Sequence, residues 1–233
     1  MKFTYLLIDF FTILLPLAFS FHPEIKFQRS WSALFPAILI TATFFIIWDV
    51  CFTDLKIWGF NQQYLTGIHL GNLPIEEVLF FICIPYSCVF TYQCLSKWIN
   101  RSFSKKTTDM ITIVLIAFSA FMAARYNAER YTLYTFVVMA ALLFIAQFWV
   151  RVDWLPKYYI TYLVLLVPFI IVNGLLTGTG LQSPVVWYNN SENMGLRILT
   201  IPVEDIFYGS DLILLNVLLF TSIQPKKPIC NLT

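Results

Sequence analysis

Gly67-Ile68-His69-Leu70-Gly71-Asn72-Leu73-Pro74-Ile75-Glu76-Glu77-Val78-Leu79-Phe80 aligns without a gap on Gly195-Leu196-Arg197-Ile198-Leu199-Thr200-Ile201-Pro202-Val203-Glu204-Asp205-Ile206-Phe207-Tyr208, 128 residues later. Glycine, a basic or titratable residue, proline, two adjacent acids and an aromatic return in register. Upstream, Ile47-Trp48-Asp49 through Thr53 answers to Ile171-Val172-Asn173 through Thr177 at an offset of 124, and the first apolar run answers to the fifth. A period this long marks a duplicated structural unit, and the fold follows from what the unit contains.

Each unit contains three apolar runs. Runs long enough to span a bilayer, about 17 to 25 residues, fall near 3–21, 33–53, 75–95, 108–124, 131–150, 158–176 and 199–222. The fourth is the shortest and connects the units. The expected architecture is therefore an all-α integral membrane protein of about seven transmembrane helices, with a first repeat at 1–100, a connecting helix within 101–128 and a second repeat at 129–233. Three helices plus one make an even number of crossings, so the second unit enters the membrane as the first does. The repeats are parallel, related by a pseudo-two-fold axis along the membrane normal.

The composition agrees. Only 12% of the residues are charged, against 59% hydrophobic and 18% aromatic, and the mean hydropathy is +0.73. Such a chain cannot cover itself with a polar surface, so lipid must be its solvent. A net charge of +2, scattered along the chain, excludes nucleic acid as a partner. The five cysteines lack metal-ligand spacing, and four lie in or at the ends of apolar runs, where cysteine behaves as a small hydrophobe. One set of loops carries Lys26, Arg29, Lys97, Arg101, Lys105, Lys106, Arg151, Lys157 and the Lys226-Lys227 tail. That bias places the N-terminus outside and the C-terminus in the cytoplasm. The expected location is the cell (inner) membrane.

With this topology both Pro-x-acid-acid segments open helices at the outer face, and Asp49 and Asn173 lie near the same level. Asp49, Glu76, Glu77, Asn173, Glu204 and Asp205 converge. Proline and acid at a helix start are ordinary for a single helix. Two in register, each with His69 or Arg197 five residues before the proline, point to function, because ionisable groups at membrane depth are costly.

These motifs, with Trp48-Asp49 and Asn173-Gly174-Leu175-Leu176-Thr177-Gly178, resemble the membrane-bound lycopene cyclases of the heterodimeric type, in a form with both subunits fused. Asp205 departs from the glutamate of that pattern. The resemblance implies that the linear carotene lycopene, in membrane lipid, is converted at its ends to β-ionone rings, giving one-ring γ-carotene and two-ring β-carotene, as an isomerase of the lycopene β-cyclase type, with other carotenoid-pathway enzymes as partners.

Elementary chemistry fits this expectation. Ring closure protonates a terminal alkene, lets a neighbouring double bond attack the cation, and removes a proton. An alkene is a very weak base, so the donor must be a carboxylic acid held protonated by burial or by a second carboxyl group. The expected catalytic set is Glu76, Glu77, Glu204, Asp205 and Asp49, with Glu76 and Glu204 as donors and their neighbours Glu77 and Asp205 adjusting them or receiving the final proton. Aromatic faces shield a cation without reacting. Trp48, Phe80, Phe81, Phe207 and Tyr208, with Asn173, His69 and Arg197, form the expected substrate-binding set. The net isomerisation needs neither cofactor nor metal, and no dinucleotide fingerprint occurs. The rival reading is a small proton-coupled transporter of a lipophilic substrate. A retinal protein would need a lysine in the last helix, and a prenyltransferase would need Asp-rich diphosphate motifs.

Overall fold

The computed structural model describes residues 2–99 and 102–224, so Arg101, Cys230 and the Lys226-Lys227 tail lie outside the described residues. Seven helices run in chain order: α1 (Thr4–Phe19), α2 (Trp31–Asp54), α3 (Ile75–Trp98), α4 (Lys105–Arg125), α5 (Arg130–Phe144, continued by a π-helical turn Ile145–Val150), α6 (Leu155–Leu176) and α7 (Val203–Ile223). All but α1 are long and apolar enough to cross a membrane. The α1 helix, at 16 residues, is shorter than the run at 3–21 suggested and reaches roughly 24 Å at 1.5 Å per residue. The fourth helix is longer than expected. Ser104 caps it by accepting a bond from the Thr107 amide, and the hydroxyls of Thr108 and Thr112 bond back to carbonyls one turn earlier. Polar residues thus extend the helix beyond its apolar run.

The long loops are not irregular. Strand β1 (Trp58–Phe60) pairs antiparallel with β4 (Val186–Tyr188), and two hairpins, β2 (His69–Leu70) with β3 (Leu73–Pro74) and β5 (Arg197–Ile198) with β6 (Ile201–Pro202), lead into α3 and α7. The last helix therefore starts at Val203 rather than 199, because residues 199–202 belong to the hairpin. Pro74 and Pro202 keep extended ψ angles of 149° and 139° and stand just before the helices as their N-caps. Glu76–Glu77 and Glu204–Asp205 fall in the first turns, where the N-terminal dipole favours negative charge.

The duplication seen in sequence is written into the hydrogen bonds at the same offset. Asn61 N donates to Val185 O and Asn189 N to Ile57 O, both at 2.8 Å. Ile75 N meets Ile68 O as Val203 N meets Leu196 O. The central pair of the β1–β4 ribbon is Gly59 with Trp187, themselves 128 residues apart. Equivalent strands of the two halves therefore pair with each other, as a two-fold axis through that pair requires.

The hairpin turns differ in one respect. Gly71 takes φ +65° without a steric penalty, whereas its counterpart Leu199 is held at φ +57°, a region strained for a large side chain. Large apolar side chains on the outside of the bundle, among them Leu39, Phe121, Leu163 and Val167, are exposed. Outward apolar faces of this kind are the ones lipid covers. Cys83, Cys88 and Cys94 are buried free thiols, and Cys51 is an exposed one.

Candidate active site

The acids converge, but the two members of each pair do different things. Consecutive residues in a first helical turn point about 100° apart, so one acid turns to the loops and the other to the bundle. Glu76 Oε1 accepts the Thr66 amide at 2.6 Å, and Glu204 Oε1 accepts the Met194 amide at 2.7 Å. Both side chains are wholly buried, and Thr132 on α5 adds a hydroxyl bond of 2.6 Å to Glu204. These acids fasten each loop to its helix.

Of the second acids, Asp205 lines a large cavity directly, and Glu77 reaches only a small pocket beside it. The cavity has a volume of about 570 Å³ and lies among α1, α3, α6 and α7, lined by apolar groups such as Ile8, Phe11, Phe80, Ile84 and Leu212. A smaller pocket of about 50 Å³ adjoins it and shares Phe80, Asn173, Asp205 and Tyr208. Glu77 and Asp205 both line that pocket. One acid from each repeat therefore serves a single polar end of an apolar chamber.

Their surroundings are unequal. Glu77 Oε2 accepts the Tyr5 hydroxyl at 2.6 Å, and the carboxyl group of Asp49 lies near enough for the two to interact electrostatically. Asp49 Oδ1 accepts the Trp58 indole N–H, with Thr53 at 3.3 Å. Asp205 has no acidic counterpart to Asp49, because Asn173 occupies that place. It accepts three donors instead: Tyr131 at 2.5 Å, Tyr188 at 3.1 Å and the Asn173 amide at 3.3 Å. Burial first, and the Asp205 carboxylate next, hold the Tyr188 phenol well above its usual range, so it remains a donor at neutral pH.

The expected aromatic set divides. Phe80 and Tyr208 line both spaces. Trp48 and Phe81 are buried beside them against Phe45, with Trp48 stacked on it at 5.7 Å and Phe81 at 6.1 Å. Phe207 lies on another face of α7, against Phe118 and Phe136, because adjacent residues on a helix cannot share a direction.

His69 and Arg197 lie on the exposed hairpins and line neither space. His69 bonds Gln62 and the Gly67 carbonyl. Arg197 donates to the Thr200 carbonyl at 2.6 Å and to Asn190 at 2.8 Å, bracing the strained Leu199 turn. Its guanidinium also lies 5.9 Å from the centre of the Tyr188 ring.

Sequence reading missed Tyr5, Tyr131, Tyr188 and Trp58. Tyr5 and Tyr131 are equivalent residues of the two repeats, which was the available signal. Tyr188 stands opposite Phe60 at the 128-residue offset, a difference visible only by asking where the halves disagree. Asp9 and Asp211 are also buried, and neither carboxyl group has a hydrogen-bond partner among the described residues. No group of three His, Cys, Asp or Glu side chains could hold a metal ion among the described residues.

Comparison with known proteins places this geometry. The model of the family described as lycopene cyclase matches residues 2–95 and again 130–223. The two matches are the two repeats. A bifunctional lycopene cyclase/phytoene synthase of Aspergillus oryzae is 25% identical over 129 residues, which is 53% of this chain and 22% of that protein. The chain thus aligns with about a fifth of that relative's length. No solved structure matches. With most of its length matched in two successive copies, the chain belongs to the lycopene cyclase family.

Proposed function

We propose that the protein closes rings at the ends of lycopene inside the membrane, with Glu77 as the proton donor and Asp205 as the final base. The observation that carries this reading is the unequal treatment of two equivalent acids at one pocket. Glu77 faces Asp49, and two carboxyl groups at close range in an apolar site cannot both be ionised, so the pair holds a proton. Asp205 has three hydrogen-bond donors and no Asp49-like carboxyl group facing it, which makes it the better placed of the two to accept a proton. Environments that separate two acids in this way define donor and acceptor.

The steps balance as an isomerisation. The Glu77 O–H bond breaks and a C–H bond forms at the terminal alkene, leaving a tertiary cation. The neighbouring double bond supplies its electron pair to form the ring bond and passes the positive charge into the ring. Asp205 removes a ring proton and the C–H pair becomes the new double bond. Phe80 and Tyr208 present aromatic faces where the charge travels. Between turnovers Asp205 gives its proton to water and Glu77 takes one back from water, with the hydroxyls of Tyr5, Tyr131 and Tyr188 around the shared pocket as carriers.

Purified protein in liposomes, given lycopene as its only substrate, tests the reading. Cyclic carotene is expected without flavin or nicotinamide. In heavy water each ring formed should carry one deuterium, delivered to the terminal alkene. Unchanged lycopene from well-folded protein overturns the proposal, and so does a ring without deuterium.

A further inference from the structure

Two equivalent repeats offer two pseudo-symmetric places for a cavity, and among the described residues one is open and the other is packed with large side chains. The open one lies among α1, α3, α6 and α7. Exchanging each helix for its counterpart, α1 for α5, α2 for α6 and α3 for α7, puts the mate among α5, α7, α2 and α3. There the space is filled. From α6 the open cavity is lined by Phe169, Val172 and Asn173, whose counterparts 124 positions earlier are Phe45, Trp48 and Asp49.

Trp48 stands where Val172 leaves room. Its indole lies 5.3 Å from the Tyr208 ring and 5.6 Å from the Phe52 ring, and Phe45 beneath it is wholly buried. The acids follow the same asymmetry. Asp205 lines the open cavity, its counterpart Glu77 lines only the small pocket adjoining it, and Glu76 and Glu204 are tied to loop amides.

We propose that the protein has one ring-forming site, its symmetry mate being filled by Trp48 and Phe45. The two ends of a linear polyene are then cyclised in separate visits, with the one-ring product released into lipid and rebound by its other end. The proposal rests on the cyclase reading above. Each visit is the same balanced isomerisation and needs no further reactant.

Two arms test it in liposomes. In the first, wild-type protein receives isotope-labelled lycopene together with a pool of unlabelled one-ring carotene. Release and rebinding predict that label in the two-ring product falls in proportion to the added pool. Two-ring product that keeps its full label overturns the one-site proposal while leaving the cyclase reading intact. Lycopene that gains no ring at all overturns the cyclase reading itself.

In the second arm, Glu77→Gln and Asp205→Asn are compared separately. One shared site predicts that each variant loses the first ring as completely as the second. Two independent sites predict that each variant still makes one-ring product at near-normal rate, which overturns the proposal. The first arm uses unaltered protein, so a variant that misfolds does not remove the test.

Discussion

Glu76 and Glu77 are adjacent in the chain and differently placed, one on a loop amide and one at the shared pocket, and the roles proposed for them give the sharpest mutational test. Glu77→Gln keeps shape and hydrogen bonding but holds no transferable proton of useful acidity. Its turnover should fall by about 10²–10⁴-fold, the usual contribution of general acid catalysis, with lycopene binding little changed. Asp205→Asn should lose a comparable factor by removing the base. Glu76→Gln should instead lower stability, because its oxygen fastens the Thr66 amide, and should leave turnover per folded molecule near that of wild type. The comparison needs single-turnover rates together with thermal unfolding of each variant in detergent. Equal losses at 76 and 77 would remove the distinction between loop anchor and proton donor. The sequence made the acids visible as pairs but not this division of labour. Its motif fixes the spacing, whereas the direction of each side chain depends on where the hairpin delivers the first helical turn.

The hairpins carry a second lesson, in the left-handed Leu199. Alignment with Gly71 marks the position as a turn that needs positive φ, and in the structure leucine takes it against a cost of roughly 1–2 kcal/mol. Arg197, expected from sequence in the substrate-binding set, donates to the Thr200 carbonyl in this turn. Leu199 is 68% exposed, so Leu199→Gly loses little packing and should stabilise the protein by about 1 kcal/mol. A raised unfolding midpoint with unchanged turnover is the expected result. The β1–β4 ribbon is less forgiving. A Cβ on Gly59 would come within 2.4 Å of the Trp187 ring, so Gly59→Ala should destabilise by about 1–3 kcal/mol as the indole is displaced. An unfolding midpoint at or above wild type would show that the ring moves aside freely. Helix number and order were legible because apolar runs of membrane length admit few other readings. Strands of two or three residues leave no periodicity to read, so the ribbon and hairpins were not.

Neither repeat can make the site alone. The cavity takes α1 and α3 from the first repeat and α6 and α7 from the second, and its polar end takes Glu77 from one and Asp205 from the other. Parallel repeats about an axis along the membrane normal bring equivalent helix starts to one membrane level, which explains why the 128-residue offset foretold the convergence. The offset could not foretell that a single cavity would open, because that depends on Trp48 against Val172 and Asp49 against Asn173, the places where the copies disagree. The duplicated frame is common to both halves, and these positions are where their side chains differ. On the proposed mechanism, a chain divided where the halves meet should work only as a pair. One segment ending at residue 100 and another starting at 101 keep α4 with α5, its main packing partner, and leave each repeat whole. Produced separately, each should insert in the membrane and form no ring. Produced together they should pair through α2 on α7, α3 on α6 and the β1–β4 ribbon, and recover cyclisation. Trp58→Ala in the first segment should weaken that recovery, since Trp58 pairs with Tyr188 in the ribbon and donates to Asp49. Pigment extracted from lycopene-containing membranes carrying one segment or both reads the outcome directly. Ring formation by either segment alone would mean that a complete donor and base exist within one repeat, and the shared pocket would lose its role.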